Sequence, residues 1–420
     1  MKREKTQIHY AWKIMIALIF LKIGEGAINC NLSNFITPVV EEFHCKVSEF
    51  ALSMSINAIG MALFYVTAAK TITTKKVGLV LGIATLCECI GVALMSTYKT
   101  VYLFYISGAI IGISGAFTGF VVTPILINMW FKKKAATVLG VVIAAGSAAT
   151  MLFQMLSATF ITSFGWRVAY LMLAGIAFVL MVPMMFLIMK SPEEVGCKPY
   201  GDEEQTEEKN LQSPQNAVSG MTRTQAFRAP AFWLAWLCCV LISYGCGVPY
   251  YVANYATMEL GKTISFGAAC TVCVNIGTIL GSLLLGQVND RFGVKSGLCV
   301  GAGLSVLAFA MLLLSGSQTA LLILAGSALS GVSTCMYSVQ APLLAQEIVG
   351  QRDYSSIWSV MMIANSLIGG GLNFTIGYFY DYGGTYKGAY MTSMGMFLAT
   401  IVIGLIATNM VRRQRAAAAA

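Results

Sequence analysis

The sequence is dominated by apolar runs of about 20 residues that recur along most of its length. A run of about 20 residues is what an α-helix needs to cross the ~30 Å hydrocarbon core of a bilayer. Of the 420 residues, 57% are apolar and 11% are charged, whereas soluble proteins are roughly 25% charged. The chain is therefore predicted to be a polytopic membrane protein and not a soluble globular domain.

Apolar runs and turn signals predict twelve transmembrane helices. Their predicted bounds are 11–37, 47–69, 78–97, 100–129, 135–160, 166–189, 229–257, 264–287, 295–315, 318–344, 354–379 and 386–410. We number them helix 1 to helix 12 in chain order. Residues 191–228 are rich in Glu, Ser, Gln and Pro, a composition typical of a linker. The predicted domains are thus an N-terminal six-helix bundle (1–190), a cytoplasmic linker (191–228) and a C-terminal six-helix bundle (229–415), followed by an uninformative Ala tail (416–420).

The distribution of basic residues predicts the orientation. The termini and the even-numbered loops hold 21 of the 27 Lys and Arg residues, and the odd-numbered loops hold five. Since basic residues favour the cytoplasmic side, both termini are predicted to be cytoplasmic in a multi-pass protein of the cytoplasmic membrane. The net charge of +9 is explained by contact with anionic lipid, so no nucleic-acid partner is expected.

The two halves carry a weak internal repeat. The segment from Gly286 to Lys295 reads GQVNDRFGVK, and a degraded copy, AKTITTKKVG, lies between helices 2 and 3. Pro124 and Pro342 occupy matching places late in helices 4 and 10. Duplicated halves are typical of secondary transporters that work by alternating access.

The glycines of two helices follow a helical stripe. They are Gly108, Gly112, Gly115 and Gly119 in helix 4, and Gly277 and Gly281 in helix 8. Small residues at this spacing predict close helix approach.

The Gly286–Lys295 string resembles the cytoplasmic-loop signature of the major facilitator superfamily. The resemblance implies an all-α fold of twelve transmembrane helices in two six-helix pseudo-repeated bundles, working as a monomer. Gly286 and Gly293 would allow a tight turn, and Asp290 and Arg291 could form a charge-assisted latch. These four residues are the predicted gating loop; the alternative is an ordinary solvated turn.

Four further segments resemble the oxalate/formate antiporter and monocarboxylate transporter branch of that superfamily. They are NMWFKKK at 128–134 with AGS at 145–147, GWR at 165–167, and PEEVGCKPYG at 192–201. The resemblance implies proton-coupled transport or exchange of small organic anions. Helices 8 and 11 lack the Lys or Arg that the branch carries there, which disfavours a dicarboxylate such as oxalate.

Three charges lie well inside apolar spans: Lys22 and Glu25 in helix 1, and Glu88 in helix 3. A charge in hydrocarbon costs at least ~2.5–3.5 kcal/mol and needs a partner, water or neutralisation. Asn29 shares the face of Lys22 and Glu25. Lys22 and Asn29 are predicted to bind substrate, and Glu25 and Glu88 to couple protons. The alternatives are a static ion pair for Lys22 and Glu25, and a structural role for Glu88.

Polar faces on helices 7 and 10 supply the remaining predicted substrate-binding residues. They are Tyr244, Tyr251, Asn254 and Tyr255 in helix 7, and Ser333, Tyr337 and Gln340 in helix 10. Phenol groups can bind a carboxylate while their rings hold an apolar body. The structural alternative for each is hydrogen bonding between helices.

These patterns predict a secondary active transporter of a small organic anion, most simply a monocarboxylate, by proton symport or anion exchange. A neutral or zwitterionic solute is the alternative, and a non-transporting membrane sensor is the least favoured reading. No cofactor and no metal are predicted. The predicted spans contain no nucleophile–base pair of the kind that would indicate an enzyme.

Overall fold

The structure is a computed structural model, and it describes residues 9–29, 34–45, 47–74, 76–201, 221–316, 318–363, 365–366 and 385–419. Every long element among these residues is a helix. The main helices follow the apolar runs, because a helix satisfies its backbone groups internally and leaves only side chains facing lipid. The prediction of an all-helical polytopic fold is confirmed.

Helices 2 to 6 begin and end close to the predicted bounds, whereas the helix described for helix 1 ends at Asn29, eight residues before its predicted end. The helices of this half are Tyr10–Asn29, Val47–Thr74, Val77–Met95, Val101–Thr118 continued by Val122–Trp130, and Ala135–Leu187, which holds helices 5 and 6. Gly165 interrupts this last helix with a φ of 79°, and it separates helix 5 (135–164) from helix 6 (166–187). A short helix, Ile36–Phe43, follows helix 1.

The C-terminal helices are less regular. They are Pro230–Gly247 extended by short segments to Glu259, Ile264–Phe292, Val294–Leu314, Ala320–Cys335 continued to Val349, Tyr354–Ile363 and Lys387–Ala419. Residues 367–384, most of the rest of predicted helix 11, lie outside the described part of the chain. Short helices Pro192–Val195 and Arg223–Arg228 occupy the two ends of the predicted linker, and residues 202–220 between them are also not described.

Nine helices in the described residues are long and apolar enough to cross a membrane. One of the nine spans contains both helices 5 and 6. Helix 1 is not among them, and it carries the charges Lys13, Lys22 and Glu25. Helix 11 is described only over a short stretch.

The chain divides into two compact units. The first unit comprises Met1–Val138 and Leu152–Ala217, and the second comprises Leu139–Met151 and Val218–Ala420. Residues 139–151 of helix 5 thus group with the second unit. The predicted domains at 1–190, 191–228 and 229–415 stay a prediction.

Glycines bring helices into backbone contact within each unit, as their spacing predicts. In the first unit, a Cβ on Gly112 would lie 2.3 Å from the carbonyl oxygen of Asn57. In the second unit, a Cβ on Gly277 would lie 1.6 Å from the carbonyl oxygen of Ala328. A side chain at either position would force helices 2 and 4, or helices 8 and 10, apart.

In each unit a carboxylate bonds the beginning of the last predicted helix: Glu42 from the short helix Ile36–Phe43, and Glu259 from the end of helix 7. In the first unit, Glu42 accepts hydrogen bonds from Trp166 Nε1 at 2.5 Å and from Arg167 at 2.6 Å. In the second unit, Glu259 accepts from the Thr385 hydroxyl at 2.7 Å and from the Tyr386 backbone N–H at 2.9 Å. Both contacts stand where the last helix of the unit begins. We call them the Glu42 bracket and the Glu259 bracket.

Candidate functional site

The two charges of helix 1 form a buried ion pair. The Lys22 ammonium donates to Glu25 Oε2 at 2.6 Å, and the residues are 6% and 9% exposed. Positions i and i+3 lie on one face of a helix, so the helix itself sets this contact. Gly24 between them lets helix 6 approach closely, because a Cβ there would overlap the Met181 side chain.

A break in helix 4 supplies a second acceptor for Lys22. The helix ends at Thr118 and resumes at Val122, and the Thr118 carbonyl accepts from Lys22 Nζ at 3.3 Å. The C-terminal end of a helix carries partial negative charge, which favours a cation. Lys22 Nζ also lies 5.7 Å from the centre of the Phe120 ring, within cation–π range. The continuous apolar run at 100–129 gave no sign of this break.

Glu88 of helix 3 joins the same site through Thr118. The Thr118 hydroxyl donates to Glu88 Oε2 at 3.4 Å, and Glu88 is 5% exposed. Glu88 and Glu25 are also close enough to interact electrostatically. Three helices thus bring together all three intramembrane charges that the sequence singles out. We call Lys22, Glu25, Glu88 and Thr118 the charge cluster.

The charge cluster has one ammonium for two carboxyl groups. Glu25 Oε2 faces Lys22, whereas Glu25 Oε1 is buried without a hydrogen-bond partner in the described structure. A buried, uncompensated carboxylate is expensive, so the second carboxyl favours a proton or a bound cation. This arrangement can take up and release one positive charge.

Asn29 lies one helical turn beyond Glu25, and it is exposed. It lines a cavity of the first unit together with Ser53 and Asn57 of helix 2. Its predicted contact with substrate is not tested by the structure.

The four residues of the predicted polar face of helix 7 do not share one environment. Tyr244 is buried, and its hydroxyl has no hydrogen-bond partner in the described structure. Tyr251 is half-buried, with its ring 6.1 Å from that of Tyr386, and Asn254 is exposed. Tyr255 is fully buried and donates to the Leu312 carbonyl at 3.1 Å, so it serves the contact with helix 9.

The division of helix 7 has a backbone cause. A 3-10 segment, Val248–Tyr251, and a π segment, Tyr255–Glu259, interrupt the regular helix. Each segment changes the number of residues per turn, so the 3.6-residue phase on which the stripe was predicted does not extend across them.

The polar residues Ser333 and Gln340 of helix 10 form hydrogen bonds within that helix and to helices 8 and 9. The Ser333 hydroxyl is buried and donates to the Ser330 carbonyl at 2.6 Å. Tyr337 is half-buried within a π segment, Met336–Gln340. Gln340 is buried and accepts from Asn289 Nδ2 at 2.8 Å, and it donates to the Val294 carbonyl at 2.8 Å.

Gln340 therefore holds the predicted gating loop. Helix 8 ends at Phe292 and helix 9 begins at Val294, with Gly293 between them at a φ of 84°. Gly286 is buried, whereas Asp290 and Arg291 are exposed. The sequence missed the Asn289–Gln340 contact, although Asn289 lies inside the signature string. Only the fold brings helix 10 to that string.

Comparisons with known proteins agree on the family. The sequence profile of the Major Facilitator Superfamily matches residues 14–372. An uncharacterized MFS-type transporter of Bacillus subtilis, YcxA, is 22% identical over 189 residues, 45% of this chain and 46% of that protein. Sugar phosphate exchanger 3 of Mus musculus is 24% identical over 200 residues, 41% of this chain and 40% of that protein. The matches span less than half the length of these curated relatives.

Solved structures share the fold. The fucose:proton symporter of E. coli has a TM-score of 0.70 at 15% identity, covering 94% of this chain and 98% of that chain. A bacterial homologue of the iron transporter ferroportin, in its outward-facing state with soaked iron, has a TM-score of 0.71 at 14% identity, covering 96% and 100%. YcxA is uncharacterized and the other three proteins are named for different substrates, so the finer resemblance to the oxalate/formate and monocarboxylate branch stays a prediction. The chain belongs to the Major Facilitator Superfamily of membrane transporters and is not an enzyme.

Proposed function

We propose that the protein couples transport of a small organic solute to protons, and that the charge cluster carries the proton. The observation that supports this most is the ratio of two buried carboxyl groups to one ammonium around Thr118. When one carboxyl holds a proton the cluster is neutral, and when it loses the proton the cluster is negative. Such a difference in charge is what a proton-driven conformational equilibrium needs.

A monocarboxylate is the first candidate solute. Protonation of Glu25 would release the Lys22 ammonium from its 2.6 Å contact, and the carboxylate of a solute could then take the place of Glu25. The Lys22 ammonium would again face one carboxylate, and the net charge of the site would be unchanged because one proton and one anion are added together. Proton and anion would therefore bind together, which is symport.

A neutral or zwitterionic solute is the second candidate. The observation that favours it is that Lys22 already has its own counter-ion and a helix end as partners. The charge cluster would then serve the proton alone. The solute would bind to uncharged polar groups such as Asn29.

We further propose that the protein acts as a monomer in the cytoplasmic membrane, with both termini in the cytoplasm. The positions of the Lys and Arg residues support this orientation. Lipid is then its partner along the apolar spans.

Uptake into proteoliposomes tests the proposed function. The panel is lactate, phenyllactate, oxalate, fucose and proline, each with and without an acidic exterior. Glu25→Gln tests the cluster, and Glu49→Gln at the start of helix 2 is the matched control. We expect acid-driven lactate or phenyllactate uptake that Glu25→Gln reduces at least tenfold and Glu49→Gln leaves within twofold.

Other results of this panel would change the account. Acid-driven uptake of fucose or proline alone would favour the second candidate. Uptake that requires internal anion and ignores the pH gradient would establish exchange, and it would contradict proton coupling.

A further inference from the structure

A short stretch of chain after helix 6 packs against the predicted cytoplasmic ends of helices 1 and 4. It runs from Ile188 to Gly201, and we call it the anchor segment. It contains the string PEEVGCKPYG, and Tyr200 of that string pairs with Phe131 of the string NMWFKKK. Both strings resemble the monocarboxylate branch, and the proposed function uses neither of them.

The anchor segment has a fixed local fold. Ser191 and Glu194 form a capping box: the Ser191 hydroxyl accepts from the Glu194 backbone N–H at 3.3 Å, and the Glu194 carboxylate accepts from the Ser191 backbone N–H at 2.8 Å. Pro192 begins the helical turn, and Gly196 ends it with a φ of 68°, which glycine adopts without strain. The residue types of this string therefore specify its backbone.

Backbone hydrogen bonds join the anchor segment to the loop after helix 4. The Tyr200 N–H donates to the Trp130 carbonyl at 2.8 Å, and the Lys132 N–H donates to the Tyr200 carbonyl at 2.9 Å. Trp130 Nε1 also donates to the Lys190 carbonyl at 2.9 Å. These bonds hold both ends of the segment at the point where helix 4 ends.

The same segment holds the start of helix 1. The centre of the Tyr200 ring lies 5.6 Å from that of Trp12, in an edge-to-face contact. The Tyr10 hydroxyl donates to the Ile188 carbonyl at 2.7 Å, and the Tyr10 ring lies 5.3 Å from that of Trp130. Helix 1 is thus tied to the second part of helix 4 both directly and through the anchor segment.

This attachment stands well away from the charge cluster. Tyr10 precedes Lys22 by twelve residues in one uninterrupted helix, which is about 18 Å at a rise of 1.5 Å per residue. Trp130 follows Thr118 by the same number of residues. Helices 1 and 4, which meet at Lys22 and Thr118, therefore meet a second time at the anchor segment.

The geometry of the charge cluster depends on how helix 1 stands against helix 4. Lys22 Nζ and the Thr118 carbonyl oxygen are 3.3 Å apart, so a shift of a few tenths of an ångström would break their hydrogen bond. The break after Thr118 interrupts the regular backbone of helix 4, and a helix bends most easily at such a break. A second attachment of helix 1 to helix 4 therefore fixes the tilt of helix 1.

We propose that Tyr200 is a positioning residue: through the anchor segment it fixes helix 1 against the second part of helix 4, and so holds the Lys22 ammonium at the charge cluster. The proposal rests on the proton coupling proposed above. Tyr200 acts through helix 1 and not by contact with proton or solute. Its loss should therefore weaken the coupling of protons to solute, while solute can still exchange.

Four variants test this. Tyr200→Ala removes the ring contact to helix 1, and Tyr200→Phe keeps the ring. Lys198→Ala is the matched control, because Lys198 is exposed in the same segment. Tyr10→Phe keeps its ring but removes the hydrogen bond to the Ile188 carbonyl, and it is the milder variant should Tyr200→Ala fold poorly.

The first measurement is hydrogen–deuterium exchange followed by mass spectrometry, because it reports backbone opening without any transport. It compares peptides of the anchor segment with peptides that span the break in helix 4 at 118–122. We expect Tyr200→Ala to speed deuterium exchange at least threefold in both regions, and Tyr10→Phe at least twofold. Tyr200→Phe and Lys198→Ala should match the wild-type protein.

The second measurement compares acid-driven uptake with exchange of labelled for unlabelled solute at equal pH on both sides. The probe is whichever of lactate, phenyllactate, fucose and proline the wild-type protein accumulates with an acidic exterior. We expect Tyr200→Ala to lower acid-driven uptake at least fivefold while solute exchange stays within twofold. Tyr200→Phe and Lys198→Ala should leave both rates within twofold of the wild-type values.

The outcomes separate this inference from the proposed function. Faster deuterium exchange in the anchor segment alone, with the break unchanged, would overturn the positioning role and leave proton coupling intact. An equal loss of uptake and solute exchange in Tyr200→Ala would also overturn it, because the residue would then serve the fold. Faster deuterium exchange at the break, in a protein whose wild type shows no acid-driven uptake of any probe, would support the positioning of Lys22 and contradict the proton coupling.

Discussion

A single ammonium, that of Lys22, holds the charge cluster together. It contacts Glu25 at 2.6 Å and the Thr118 carbonyl at 3.3 Å, and it is 6% exposed. Water does not screen a pair buried to this degree, so loss of one partner leaves a strongly disfavoured charge. The cluster is therefore a structural requirement of helix 1 as well as a candidate site.

Removal of the ammonium should destabilise the protein more than removal of the whole pair. Breaking a buried ion pair from one side costs about 3–5 kcal/mol, whereas replacing both partners by neutral groups is often nearly neutral. We expect Lys22→Met to lower the thermal unfolding temperature in detergent, and Lys22→Met/Glu25→Gln to recover most of the loss. A double variant no more stable than Lys22→Met would show that the unpaired Glu25 carboxylate is not the source of the loss.

Glu88 should be required for coupling but not for solute binding. Its partner in the described structure is the Thr118 hydroxyl at 3.4 Å, and Glu88→Gln keeps the size and an acceptor for that hydroxyl. We expect the variant to lose at least tenfold in acid-driven accumulation while solute exchange stays within threefold. Unchanged accumulation would assign Glu88 the structural role instead.

The sequence identified the three charges, because charged residues inside apolar runs are conspicuous. It did not predict that Glu88 and Lys22 share Thr118. Their separation along the chain is bridged only by packing of helices 1, 3 and 4, and by the break after Thr118. Hydropathy reports side chains and is insensitive to such a break in the backbone.

At the scale of elements, helix 10 links a regular transmembrane span to the Gly286–Lys295 segment. Its π segment, Met336–Gln340, ends at the side chain that bonds Asn289 and Val294. The sequence placed Gln340 among the substrate-binding residues. The contacts favour a structural role, which a stability measurement can separate from solute binding.

Gln340→Leu should destabilise the second unit. It removes the bond that Asn289 Nδ2 donates to Gln340, leaving that amide only its bond to the Leu285 carbonyl at 2.6 Å. It also removes the bond to the Val294 carbonyl. Each lost hydrogen bond costs about 0.5–1.5 kcal/mol. We expect a lower unfolding temperature for Gln340→Leu and little change for the control Gln346→Leu, measured by differential scanning fluorimetry. Wild-type stability with a raised KM for solute would support the substrate-binding prediction.

The Glu42 bracket should make stability depend on pH. Hydrogen bonds from Arg167 and Trp166 lower the pKa of Glu42 from its ordinary value of 4.5. A carboxyl whose pKa is lowered by folding stabilises the protein above its unfolded pKa, and the contribution is lost as pH falls through the folded value. Wild-type protein should therefore be more stable than Glu42→Gln at pH 7. The difference should begin to shrink near the unfolded pKa of about 4.3 and vanish only below the lowered folded pKa. A difference that persists at low pH would show that the bracket acts through packing.

At the scale of the whole molecule, the two units repeat each other more clearly in structure than in sequence. Each has a carboxylate bracket at the beginning of its last predicted helix, and each has a glycine contact between its second and fourth helices. The sequence predicted the repeat from the signature string and from Pro124 and Pro342. The two brackets were not predicted, because their hydrogen-bond donors differ between the units. Glu42 accepts from an indole and a guanidinium, whereas Glu259 accepts from a hydroxyl and a backbone N–H.

The superfamily and the helical fold followed from the sequence because apolar runs and a loop signature are local features. The identity of the solute cannot be predicted from such local features. Solute preference depends on which polar groups face a common space, and the segments resembling the monocarboxylate branch lie outside the charge cluster.

The central claim is that the charge cluster moves a proton with the solute. The most direct measurement is proton influx, reported by a pH-sensitive dye sealed inside proteoliposomes, when lactate, phenyllactate, fucose or proline is added outside without a pH gradient. The account predicts that a transported solute acidifies the interior in wild-type protein and Glu49→Gln, and that Glu25→Gln and Glu88→Gln abolish this signal while exchange continues. Solute uptake without any proton influx in the wild-type protein would contradict it.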